Sequence, residues 1–96
     1  MQKIIYTNHA LKRLQQRGIP FDAVEILKEF GESKRSNNDT KKFFFNKKSL
    51  KKIRYKKKIY EKYRRFDKQI KSTAVVLKNV QDGYLCITAM KVSNKI

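Results

Sequence analysis

Most of the positive charge in this chain lies in one segment, residues 41–71, and any fold must keep that segment ordered against its own repulsion. Fifteen of the 25 lysines and arginines fall there, with Glu61 and Asp67 as its only acids, so this third of the chain carries +13 of the formal +17. Self-repulsion on this scale opposes a compact state unless a polyanion or an acidic partner offsets it. The segment is more than a charged tail, because apolar residues recur inside it. Ile59, Tyr63, Phe66 and Ile70 step by four, three and four residues, which sets them on one face of a helix. Leu50 and Ile53 pair at i, i+3 but fall on a different side of the same helix. A break near Tyr55–Lys58 turns both stripes inward, so the pattern predicts two short helices between Lys47 and Ile70 rather than one straight rod.

With 96 residues, the chain reads as one domain over 1–96, large enough for a single modest core. Lys3–Tyr6 has the character of a short opening strand. Thr7 or Asn8 then offers an N-cap for a helix over His9–Arg17, which Gly18 closes as the left-handed residue past its end. Ala10, Leu11 and Leu14 form its apolar stripe. Pro20 suits the first turn of a second helix over about 20–30, where Val24, Leu27 and Phe30 recur at helical spacing and Gly31 ends the run. Glu32–Asp39 reads as a polar loop, and Lys42–Asn46, with three consecutive phenylalanines, as a strand buried on both faces. Thr73–Lys78 and Tyr84–Val92 are rich in β-formers and flank Asn79-Val80-Gln81-Asp82-Gly83, a hairpin signal. The expected class is α+β: two N-terminal helices and a basic helical segment packed on a small, mostly antiparallel sheet.

Chemistry narrows quickly. Cys86 is the only cysteine, which excludes an intramolecular disulfide and a thiolate zinc site, and its apolar surroundings mark it as a small buried hydrophobe. Eight acids scattered over the chain do not suggest a two-metal nuclease centre, and no cofactor is implied. His9, Arg13 and Arg17, at i, i+4 and i+8, project from one helix face. Imidazole titrates near neutrality and can move a proton, while guanidinium groups clamp a phosphate and stabilise charge building on it. Such a trio can cleave RNA without a metal: a base takes the 2′-hydroxyl proton and cations stabilise the phosphorane-like state. In the basic segment, Lys51, Lys52, Arg54, Lys57, Lys58, Lys62, Arg64 and Arg65 are the expected phosphate contacts, and one or two of the interleaved aromatics are suited to stacking on unpaired bases. Tyr63 and Phe66 read as core. A helix-turn-helix across Gly18-Ile19-Pro20 is disfavoured, since Asp22, Glu25 and Glu29 on the second helix would be repelled by a DNA groove.

The run from Asn8 through His9-Ala10, Arg13 and Arg17-Gly18-Ile19 resembles the opening of a family of small bacterial domains of unknown function, with the pattern His-Ala-x-x-Arg-x-x-x-Arg-Gly-Ile. The likeness continues more loosely through Phe30-Gly31, the Phe-Phe strand, the basic helical stretch and the closing Ile87-Thr88. Such domains are grouped with the barnase, EndoU, colicin and RelE-like ribonuclease toxins. The resemblance therefore implies a RelE-like fold, metal-independent RNA cleavage and a cognate acidic antitoxin as partner. The motif assigns catalytic roles to His9, Arg13 and Arg17. Relatives tend to end the last strand with a His-Arg pair, where this chain has Met90-Lys91-Val92; an ordinary lysine side chain is a cation at neutral pH, so the type suits Lys91 to offering charge to a phosphate rather than a base.

The leading expectation is thus a bacterial, cytoplasmic, RNA-binding endoribonuclease of the RelE-like toxin type, acting on RNA that is free or held on a ribosome. The alternatives are a non-enzymatic RNA-, ribosome- or DNA-binding basic module, and a protein whose partner is itself acidic. The N-terminal residues lack an apolar run of signal-peptide length, and no membrane partner is expected, although a polybasic amphipathic helix also suits anionic lipid.

Overall fold

The computed structural model describes residues 3–92; Met1 and Gln2, which open the N-terminal stretch read above, lie outside them. The described residues form β1 (Lys3–Tyr6), α1 (Asn8–Gln16), α2 (Phe21–Phe30), β2 (Glu32–Arg35), β3 (Thr40–Phe44), α3 (Lys47–Ile53), α4 (Lys57–Arg65), α5 (Asp67–Lys71), β4 (Thr73–Val80) and β5 (Gly83–Lys91). This is the expected α+β class. The sheet runs β1-β5-β4-β3-β2, with β1 parallel to β5 and the other three pairings antiparallel. No helix among the described residues is long and apolar enough to cross a membrane.

Local chemistry explains where α1 begins and ends. Thr7 is its N-cap: the hydroxyl accepts from the Ala10 amide at 3.0 Å and donates to the Ile87 carbonyl at 3.0 Å, so one side chain both starts the helix and fastens it to β5. At the other end Gly18 takes φ +62°. The Ile19 amide then reaches the Leu14 carbonyl at 2.9 Å and the Gly18 amide reaches Gln15 at 3.2 Å, a Schellman closure that folds Ile19 back onto Leu14 in the core. Leu11 is the exception in the expected stripe, since it is exposed while Ala10 and Leu14 are buried. Pro20 stands one position earlier than expected, as the N-cap of α2.

The basic segment breaks twice. Arg54–Lys56 separates α3 from α4, close to the expected point, and Phe66 at φ −120° forms a second joint between α4 and α5. The first break has a clear cause: Ile53 reaches the core and Leu50 packs at its margin from a different side of a continued helix than Ile59, Tyr63, Phe66 and Ile70, so a straight helix cannot aim both sets inward. Asn46 and Ser49 form a reciprocal capping box that sets the start of α3.

The polar tract expected as a loop, Glu32–Asp39, is half strand. Glu32–Arg35 pairs with Lys41–Phe44 as the sheet's edge. Asn38 and Asp39 both take φ +58° in the reversal that precedes β3, and the Thr40 hydroxyl donates to Asn37 at 2.6 Å. β2 lacks apolar alternation because it is short, charged and exposed, which suits an edge that must not recruit other strands. Of the three phenylalanines, Phe43 and Phe45 enter the core, whereas Phe44 is half-buried beneath the Lys34 ammonium at 5.7 Å. Phe45 lies just past β3 and stacks on Tyr63 at 5.0 Å, joining the sheet to α4. Cys86 is fully buried, and burial pushes its thiol from 9.0 up to about 12.

Gly31 is needed for space rather than for backbone conformation. A Cβ there would overlap the Leu27 carbonyl oxygen and stand 2.7 Å from that of Phe44, two backbone atoms that cannot swing away. Gly31→Ala is expected to destabilise by about 1–3 kcal/mol, a fall of roughly 5–20 °C in Tm for a domain of this size. Thermal unfolding followed by circular dichroism measures it.

Candidate nucleic-acid interface

The eight cations singled out in the basic segment are all exposed, yet they do not form one surface. Lys58 and Lys62 turn toward α2. They line a groove of about 320 Å³ with Asp22, Glu25 and Glu29, and Lys62 approaches the Asp22 carboxylate at 3.9 Å. The acids that argue against a recognition helix thus face the chain's own lysines. Lys52 pairs with Glu32 of β2 at 3.1 Å. Arg64 borders a cleft of about 290 Å³ with Tyr60, Tyr63, Asp67 and Lys71, where Lys71 meets Asp67 at 3.1 Å. Lys51, Arg54, Lys57 and Arg65 form no ion pair among the described residues, which leaves them as the free part of this charge.

A second cationic site is built elsewhere, and partly from the N-terminal motif. Arg17 at the end of α1, Lys68 and Gln69 on α5, Ser72 and Thr73 entering β4, and Lys91 at the end of β5 line one cleft of about 330 Å³. The fold brings them together through backbone bonds. Thr73 is opposite Lys91 in the β4–β5 register, the Val92 amide donates to the Ser72 carbonyl at 2.8 Å, and the Ser72 amide and hydroxyl donate to the Lys68 carbonyl at 3.1 and 2.6 Å. Three cations converge there, and no carboxylate lines the cleft. The Arg17 Nε is buried with no hydrogen-bond partner among the described residues. The cationic lining of this cleft makes it electrostatically suited to an oxyanion.

The three motif residues and Lys91 therefore separate. Arg17 and Lys91 share the cleft, joined by Lys68, whose role no local pattern announces because it arrives from a distant element. Neither His9 nor Arg13 lines it; both are exposed on α1. At the helical rise of 1.5 Å per residue, His9 stands about 12 Å along the axis from Arg17, with Arg13 about midway. Among the described residues, no three of His, Cys, Asp and Glu come close enough to share a metal ion.

Comparison of the chain with protein-family models, with curated proteins and with solved structures finds no match in any of the three.

The α4–α5 joint carries the clearest perturbed acid. Burial works against the Asp67 charge, but the neighbouring Tyr63 hydroxyl, the Lys71 ammonium and the Arg64 guanidinium outweigh it and hold the carboxyl below its ordinary 3.8. The Tyr63 hydroxyl moves the other way, raised by burial and by Asp67. A carboxyl depressed in the fold stabilises fully above its unfolded pKa, and that contribution disappears as pH falls through the folded value. The stability gap between wild type and Asp67→Asn should accordingly be constant from pH 5 to 8 and close below 3.8, as read from urea midpoints across that range.

Proposed function

We propose that this chain binds RNA by its phosphates, seating one in the Arg17–Lys68–Lys91 cleft, and cleaves the strand beside it without a metal. The observation that carries this reading is the convergence of three cations in a cleft lined by no acid. Guanidinium and ammonium groups give a phosphate short, charge-assisted bonds, and the free cations of α3 and α4 add affinity along the backbone. In the cleavage step His9 takes the proton from a 2′-hydroxyl. The 2′-oxygen attacks phosphorus, the bond to the 5′-oxygen breaks, and water protonates the leaving oxygen. The products are a 2′,3′-cyclic phosphate and a 5′-hydroxyl end. Arg13, midway along α1 between His9 and Arg17, stabilises the charge that builds on the attacked phosphate.

A second reading, RNA binding without cleavage, is favoured by one observation: His9 lies on the open surface of α1, two turns from the cleft. Incubating labelled RNA with purified protein in EDTA separates the two. Cleavage to cyclic-phosphate ends, lowered by roughly 10²–10⁴-fold in His9→Ala with RNA affinity retained, supports the nuclease. Tight, salt-sensitive binding with intact RNA selects the second reading, and no binding even at low salt overturns both.

The division of cations predicts unequal salt responses. For single-stranded RNA, losing one phosphate contact lowers the slope of log affinity against log salt by about 0.7. Lys51→Ala, Arg54→Ala, Lys57→Ala and Arg65→Ala should each approach that change in binding titrations at several salt concentrations. Lys62→Ala, whose ammonium already faces Asp22, should change the slope little.

A further inference from the structure

The aromatic residues of the basic segment look alike in sequence but occupy different environments. Phe43, Phe45 and Tyr63 are buried, and Phe44, Tyr60 and Phe66 are half-buried against the core or a neighbouring side chain. Tyr55 is 89% exposed, more than any other large apolar or aromatic residue among those described. Its ring makes neither an aromatic nor a cation–π contact among the described residues.

Single exposed apolar side chains are common on protein surfaces, so exposure alone carries no argument. The setting of Tyr55 does. It is the central residue of the Arg54–Lys56 turn between α3 and α4. That turn is fixed at both ends, with the Arg54 amide donating to Leu50 at 3.0 Å, the Lys56 amide donating to Ile53 at 2.9 Å, and the Ile53 side chain fully buried. The ring is thus presented from an ordered backbone. It is flanked by Arg54, Lys56 and Lys57, all exposed and none in an ion pair among the described residues. A free aromatic face beside uncommitted cations matches a ligand that alternates planar bases with phosphates. In a duplex the base faces are occupied by their own stacking, so only unpaired nucleotides can meet the ring.

We propose that Tyr55 is a base-stacking platform and that the RNA this protein prefers is single-stranded. The inference rests on the RNA-binding reading above. It adds a substrate class and assigns Tyr55 a part separate from the Arg17–Lys68–Lys91 cleft.

Fluorescence anisotropy with a labelled single-stranded oligoribonucleotide and with the same strand annealed into a duplex tests it, using wild type, Tyr55→Ala and Tyr55→Phe. Wild type should bind the single strand more tightly. Tyr55→Ala should weaken that binding by roughly 5- to 100-fold, the range for loss of one stacked base. Its duplex affinity and salt slope should stay unchanged, because no phosphate contact is lost. Tyr55→Phe, which keeps the ring, should bind as wild type does. The exposure of the side chain means that Tyr55→Ala should melt at the wild-type temperature. Equal loss on both ligands, or no loss on the single strand, overturns the stacking role while RNA binding stands. A wild type that binds neither ligand overturns the RNA-binding reading itself, and this inference with it.

Discussion

Mutual repulsion within residues 41–71 is the constraint around which this molecule is arranged. Thirteen excess positive charges in a third of the chain cannot be packed against one another, and exposed ion pairs contribute only about 0–1 kcal/mol each. What holds the segment is apolar: Ile53, Tyr63 and Ile70 sit in the core, and Phe45 stacks on Tyr63 from the sheet side. Acids from other elements then blunt part of the field, with α2 facing Lys58 and Lys62, and Glu32 meeting Lys52. Lys51, Arg54, Lys57 and Arg65 are exposed and form no ion pair among the described residues. An anion bound there would stabilise the folded form over the unfolded one by mass action.

The first break in the helical segment follows from the same requirement, and both breaks distribute the charge that remains. One uninterrupted helix would aim its apolar stripes in different directions and spread its cations around the whole circumference. Breaking at Arg54–Lys56 turns both stripes to the core and leaves Tyr55 at the apex of a fixed turn. Past the second break at Phe66, α5 buries Ile70 while Lys68 and Gln69 border the cleft with Arg17 and Lys91. The geometry of both candidate contact sites is therefore a by-product of how the apolar residues are buried.

Much of this was legible in the chain before any coordinates. Thr7, Gly18, Gly31 and the 79–83 turn mark their boundaries through chemistry that acts within a few residues, and the apolar steps of the basic segment demanded at least one break. Glu32–Arg35 left no such mark, because an exposed edge strand needs no apolar alternation and is held by backbone pairing with β3. The Asn38-Asp39 pair, tolerant of positive φ, was its one local sign. The cleft was half legible: Arg17 and Lys91 stand out by motif and position, but their meeting with Lys68 depends on the β4–β5 register and on α5. The split of the basic residues into paired and free groups depends likewise on which face of α2 lies opposite α4. Tyr55 and Tyr63 differ by eight positions and belong to one compositional pattern; only the location of the break distinguishes a core ring from an exposed one.

The separation of His9 from the cleft bears on how the proposed chemistry would be divided. Two helical turns, about 12 Å, are too far for one imidazole to act on a phosphate seated against Lys68 and Lys91. The anchored phosphate and the attacked phosphate must then be different groups on the same strand, with Arg13 serving the second. In that arrangement the cleft contributes binding that is equal in ground state and transition state, whereas Arg13 and His9 act where charge and proton move. The cationic cleft would thus govern occupancy, and α1, through His9 and Arg13, would govern rate.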